Sequence, residues 1–192
     1  ARTTARILYT MYLGLSVAEV IFLLAGDMNL YQAVIHTFST AGTGGFSDRN
    51  ASVAAFNSAY IDGVITVFML LFGVNFSCYY LLTQRQIKNV LKDEELRLYV
   101  LIVLGSIGLI VWNLGDFYPT LGETVRHAAF QVSSIITTTG FATTDFDLWP
   151  SFSKTILLML MIVGACAGST GGGMKVSRII ILGRTITKET RQ

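Results

Sequence analysis

Gly42-Thr43-Gly44-Gly45-Phe46 and Thr137-Thr138-Thr139-Gly140-Phe141 are two versions of one turn, and reading them as a pair decides the fold. Each follows a short semi-polar stretch and precedes a long apolar one. Aligning Gly45 with Gly140 sets a spacing of 95 residues, and the same spacing carries Gly73 onto Gly168. Both of those glycines interrupt the apolar segment that follows the turn. Two landmarks at one offset imply an internal duplication. The duplicated unit is helix, re-entrant loop, helix, a way for a membrane protein to line an ion path with backbone carbonyls.

Composition agrees with a membrane setting. The chain of 192 residues is 52% hydrophobic and 14% charged, with a mean hydropathy of +0.57. Crossing a bilayer takes about 20 mostly apolar residues. Residues 7–26, which hold the single acid Glu19, qualify, as do 61–82, 98–115 and the longer, interrupted 155–183. No small-residue cleavage site ends the first stretch, so a signal peptide is a poor account of it. Cys78 and Cys166 fall in different apolar spans and do not share a repeat position, which predicts buried free thiols.

Charge is distributed by side. Ten of the 14 Lys and Arg residues lie in three segments: Arg2 and Arg6; Arg85, Lys88, Lys92 and Arg97; and Arg178, Arg184, Lys188 and Arg191. Four spans place these segments on one face, which the positive-inside rule makes cytoplasmic. The opposite loops hold only Arg49, Arg126 and Lys154 beside seven acids: Asp27, Asp48, Asp62, Asp116, Glu123, Asp145 and Asp147. That bias predicts an acidic outer vestibule that concentrates cations.

The expected fold is all-α and integral to the membrane, with two tandem helix–pore loop–helix repeats and a broken inner helix. Residues 1–82 form the first repeat, with helices over 4–26, 30–41 and 55–82. A polar cytoplasmic linker follows at 83–96. Residues 97–192 form the second repeat, with helices over 97–115, 122–136 and 150–183. Asp27 to Asn29 and Pro119 to Gly122 supply the stops and starts before the two short helices.

Backbone at membrane depth is tolerated only when buried in protein or facing water. Glycine permits positive φ, so successive carbonyls can aim inward and replace the hydration shell of a monovalent cation. The C-terminal dipole of each short helix adds negative potential there. Gly42, Thr43, Gly44, Gly45 and Phe46, with Thr137, Thr138, Thr139, Gly140 and Phe141, are therefore the candidate filter. The three threonine hydroxyls either join the path or pack the turn.

Residues 164–173 read Gly-Ala-Cys-Ala-Gly-Ser-Thr-Gly-Gly-Gly inside an apolar span. A helix-interior glycine costs about 1 kcal/mol against alanine, so five in this stretch predict an opened helix. The loop 164–174 is read as a gate below the filter, built on Gly168, Ser169, Thr170, Gly171, Gly172 and Gly173. Lys175 anchors it, adds a barrier to cations, or snorkels to the interface. Close helix packing is the competing explanation of the glycines. The equivalent Gly73-Val74-Asn75-Phe76 predicts a milder interruption, with Asn75 bonding to a neighbouring helix. The stretch imitates a phosphate loop, but Met174 separates Gly173 from Lys175 and Val176 stands where a hydroxyl is needed. It also imitates a nucleophile elbow, with Ala167 at the first glycine position. His36 and His127 are expected to pack on the short helices, so no catalytic set assembles and no enzyme is expected.

Three strings, HTFSTAGTGGFSD at 36–48, FQVSSIITTTGFATT at 130–144 and GACAGSTGGGMKVSR at 164–178, together with Gly73-Val74-Asn75-Phe76, resemble the Trk/Ktr/HKT superfamily of potassium transporters. The resemblance is closest to its bacterial TrkH type and runs across essentially the whole chain. It implies four helix–loop–helix repeats around one pore, of which this chain matches the second and third, with filter glycines at Gly45 and Gly140. Potassium would be the transported ion, held at the backbone carbonyls of Gly42, Thr43, Thr137 and Thr138, with no covalent cofactor. A bacterial inner-membrane location is implied. So are a homodimer, a cytosolic nucleotide-binding regulator of the TrkA/KtrA type, surrounding lipid and no nucleic acid. The chain begins at Ala1 without Met, and a partial chain completed by two further repeats is expected. The alternative is a non-conducting membrane scaffold.

Overall fold

The computed structural model describes residues 2–190; Arg191, one of the bases assigned to the inner face, lies outside the described residues. No β-strand occurs among the described residues, only an isolated parallel bridge between Val163 and Met174. The helices are α1 (Arg2–Leu24), α2 (Leu30–Ala41), α3 (Ala59–Phe72), α4 (Phe76–Thr83), α5 (Ile87–Leu91), α6 (Glu94–Leu114), α7 (Leu121–Ile136), α8 (Ser151–Ile162) and α9 (Val176–Glu189).

Among the described residues, only α1 and α6 are long and apolar enough to cross a membrane unaided. Leu13, Val17 and Ile21 on α1, and Leu101 and Leu104 on α6, are exposed at i, i+4 or i, i+3 spacing. Such stripes face a solvent that is itself apolar, so the usual inward placement of hydrophobic side chains relaxes. Inward, three clusters hold the bundle. Leu23, Ile61, Ile65, Met69, Phe130 and Phe141 form the one that joins the repeats, because Phe130 and Phe141 belong to the second. α3 packs against α7 as well as against α1 and α2.

The short helices are capped as the sequence predicts. Asn29 and Gln32 make a reciprocal capping box on α2, and the Thr120 hydroxyl accepts the Glu123 N–H on α7. Each cap contributes about 1 kcal/mol.

Two boundaries differ from expectation. The inner helix of the first repeat does not run from 55 to 82. Residues Ser52–Phe56 form a 3-10 turn, α3 starts after the Ser58 cap, and α3 and α4 meet at 90° across residues 73–75. The interruption at Gly73 is therefore sharp, not mild. Asn75 caps α4 locally through the Ser77 N–H at 2.9 Å instead of reaching another helix. The second inner helix opens completely between α8 and α9. The linker 83–96 contains α5 and the first turn of α6.

Candidate functional site

α2 is 12 residues long, about 18 Å at 1.5 Å per residue, which is too short to span. α7 has 16. Both end in the Gly/Thr turns, and the turns match bond for bond. In the first, the Thr43 N–H donates to Thr40 O at 3.2 Å, and Gly44 N–H and Gly45 N–H both donate to Ser39 O at 2.7 and 3.4 Å. In the second, Thr138 donates to Ile135 O at 3.1 Å, and Thr139 and Gly140 to Ser134 O at 2.9 and 3.3 Å. Left-handed φ recurs in register: 53° at Thr43 and 59° at Thr138, then 68° at Gly45 and 88° at Gly140. A β-branched residue in that region costs about 1–2 kcal/mol. The same strain in two equivalent threonines marks a conformation the surroundings enforce.

The turns touch. A Cβ at Gly45 would overlap the Thr139 carbonyl oxygen and lie 3.1 Å from the Gly140 carbonyl carbon. Glycine is required there for close approach as well as for its φ. Beyond the second turn, the Ala142 carbonyl accepts the Ala54 N–H at 3.1 Å, and the Ser52 hydroxyl accepts the Ala142 N–H at 3.3 Å.

Side chains of the short helices clamp the segment after each turn. Gln32 Nε2 donates to Asp48 Oδ2 at 3.2 Å, and His127 Nδ1 bonds Thr143 Oγ1 at 2.9 Å, at equivalent repeat positions. His36 bonds Ser47 Oγ at 2.8 Å and stacks on Phe141, with ring centroids 5.7 Å apart. Both histidines hold the turns, in agreement with a packing role. Sequence reasoning missed these clamps, although carrying the 95-residue offset through positions 32 and 48 would have exposed them. Phe141 is 1% exposed and Phe46 75% exposed. The second repeat's Phe is covered by the first repeat, while none of the described residues covers the first repeat's Phe.

The threonines divide their work. Thr137 and Thr139 are buried, bond one another at 2.8 Å and pack the turn. The Thr138 hydroxyl instead accepts the Gly172 N–H at 2.7 Å, and the Thr43 hydroxyl donates to Thr170 O at 3.3 Å. The opened segment between α8 and α9 thus lies against both turns. A Cβ on Gly171 would stand 3.2 Å from the Thr137 carbonyl. The segment is closed at its base, where Gly164 N–H donates to Met174 O at 2.9 Å and Met174 N–H to Ile162 O at 3.1 Å. Lys175 donates to Gly171 O, so it ties the segment to itself.

The two helix breaks interlock. Bending at Gly73 frees backbone groups, and the opened segment takes them up: Cys166 N–H donates to Gly73 O at 3.1 Å, Phe76 N–H to Gly168 O at 3.2 Å, and the Thr170 hydroxyl to Phe72 O at 3.4 Å. Such mutual satisfaction is what permits irregular backbone at membrane depth. Cys78 and Cys166 are buried and free, as expected.

The acidic outer face needs one correction. Asp62 is 4% exposed and pairs with Arg126 across the repeats at 3.4 Å. This acid and this base join α3 to α7 and drop out of the expected vestibule, whereas Asp27, Asp116, Asp145 and Asp147 remain exposed.

The family model for TrkH, described as a cation transport protein, matches residues 1–192. Trk system potassium uptake protein TrkH of Halomonas elongata is 39% identical over 183 residues, covering 93% of this chain and 38% of that protein. Its counterpart of the same name in Escherichia coli K12 is 36% identical over 195 residues, covering 98% of this chain and 40% of that protein. The crystal structure of the potassium transporter TrkH from Vibrio parahaemolyticus superposes with a TM-score of 0.91 at 34% identity, over 99% of this chain and 42% of that one. The chain therefore spans about two fifths of the length of these relatives.

Proposed function

The chain belongs to the TrkH family of cation transport proteins, and from that premise we propose that it forms two adjacent walls of a potassium uptake pathway. Ions enter from the exposed outer acids and shed water against main-chain oxygens of the two turns, chiefly those of Gly42, Thr43, Thr137 and Thr138. They then meet the segment 164–174, with Gly168 to Gly173 and Lys175, which closes the route until it is displaced. The single observation that carries this reading is the repetition of strained φ and hydrogen bonds in two turns that lie in contact. Carbonyls held rigidly by such bonding replace hydration without reorganising. The dipoles of α2 and α7 end at the same place and favour a cation.

Two walls do not enclose an ion. The exposed Phe46, whose counterpart Phe141 is covered by a neighbouring repeat, supports docking of further units of the same kind. Membership in the family implies that these are the remaining two repeats of one transporter. It also implies assembly as a homodimer in the bacterial inner membrane with a cytosolic nucleotide-binding regulator. The N-terminus, the linker 83–96 and the C-terminal helix α9 then face the cytoplasm, where their basic residues belong.

Rubidium or potassium flux into liposomes carrying the intact transporter tests the proposal. Flux abolished by Gly140→Asp is expected. Undiminished flux in that variant, or no flux in any preparation of the folded protein, rejects conduction and leaves the scaffold reading.

A further inference from the structure

The three consecutive acids at the cytoplasmic start of α6 make three different kinds of contact. Asp93 Oδ1 caps α6 through the N–H groups of Glu95 and Leu96 at 2.8 and 3.2 Å, while its Oδ2 receives the Cys78 thiol of α4 at 3.6 Å. Glu94 pairs with Arg184 on α9 at the exposed surface. Glu95, half-buried, does something different. Its Oε1 accepts the Ala167 N–H at 2.6 Å and the Ser177 N–H at 3.1 Å.

Those two donors stand on opposite roots of the opened segment. Ala167 leads into Gly168 to Gly173, and Ser177 lies in the first turn of α9. Helix α9 has no side-chain cap of its own at Lys175, so a carboxylate from α6 supplies the missing acceptor at the positive end of its dipole. Hydrogen bonds to an ionised acceptor are about twice as strong as neutral ones. One oxygen thereby holds both roots of the segment to the end of the linker.

We propose that Glu95 is the latch of the segment 164–174: a positioning residue that keeps it seated against Thr43 and Thr138 and releases it when the linker end moves. Because Asp93 joins the same point to α4, a pull on the linker at 83–93 reaches the latch directly. This inference rests on the gating reading of the segment, and the experiment separates the two.

Single-channel recording of the intact transporter reads open fraction and unit current independently. Glu95→Ala is expected to raise the resting open fraction about tenfold, and Glu95→Gln, which keeps a weaker acceptor, about threefold. Unit current and the potassium-to-sodium ratio stay at their wild-type values, because the filter turns are untouched. A purely structural role would lower the amount of folded protein without that split. Glu94→Gln, which loses only an exposed pair, is expected to change open fraction by less than about twofold. If Glu95→Ala does not fold, Glu95→Gln decides alone. A wild-type open fraction in the Glu95 variants overturns the latch if deletion of residues 170–172 still opens the path. If that deletion also fails to open it, the gating reading falls first. An effect of Glu94→Gln equal to that of Glu95→Gln overturns the latch as well, since charge loss alone would then account for both.

Discussion

The two turns at the ends of α2 and α7 repeat one another bond for bond, while the two inner helices that follow them have parted company. In the first repeat the inner helix bends by 90° across residues 73–75 and resumes at once as α4. In the second it is interrupted from 163 to 175, and the released backbone folds back beneath the turns. Duplication left both halves with the same starting plan. Where the backbone presents oxygens at a fixed spacing, the plan has been kept down to the strained threonines. Where a helix had only to continue beyond the turn, it was free to change, and the second copy opened into the segment proposed as the gate. The glycines carry this difference: one lies at the first break, while five lie within 164–173.

The largest test of the kept half is at the proposed filter glycines. Gly45→Ala combines overlap with the Thr139 carbonyl and a left-handed φ, and is expected to cut ion flux about a hundredfold. A Cβ added at Gly140 would meet nothing within 4 Å among the described residues. Gly140→Ala is nonetheless expected to match it, because the proposed further repeat would take the place there that the second takes beside Gly45. Flux near wild type in Gly140→Ala would break the equivalence of the two turns.

The diverged half is sharpened by cutting each break. Deleting residues 170–172 is expected to raise resting flux roughly thirtyfold, given at least two hydrogen bonds lost at about 1 kcal/mol each. Gly73→Ala brings a Cβ against the Tyr99 hydroxyl and 2.9 Å from the Thr137 methyl. It should lower stability by about 1–3 kcal/mol, read as an earlier thermal unfolding in detergent, with resting flux unraised. Opening by Gly73→Ala would erase the distinction between bend and obstruction.

Smaller effects follow at the contacts. Thr138→Val removes the acceptor of the Gly172 N–H and is expected to raise resting flux roughly fivefold, about 1 kcal/mol, with Thr43→Val weaker because its bond to Thr170 is longer. At the caps, Asn29→Ala and Thr120→Ala each lower stability by about 1 kcal/mol, with Asn29→Ala the greater because it breaks both bonds of the capping box. Calorimetry or thermal fluorescence reads that order.

Much of this was legible in the residues. Hydropathy located α1 and α6, the spacing of Gly45 and Gly140 found the duplication, and the density of glycine found the opened helix. The bend at Gly73 was not legible as such, because one glycine in an apolar run costs little by itself. Its sharpness is settled by Cys166 and Gly168, which satisfy the freed groups from far away in the chain. Asp62 was misassigned to the vestibule for the same reason: its partner Arg126 lies in the other repeat. The double role of Glu95 depends on two main-chain donors, and main-chain donors leave no mark in a sequence.

The bridge between Val163 and Met174 sets the end of α8 beside the residues that lead into α9, whatever the chain does in between. Residues can thus be gained or lost inside that clasp without shifting α9 along its axis, and closing a slightly longer excursion costs little entropy. If the segment closes the path as proposed, descendants of this repeat are free to vary how firmly it does so by trial of length alone, with the rest of the architecture undisturbed.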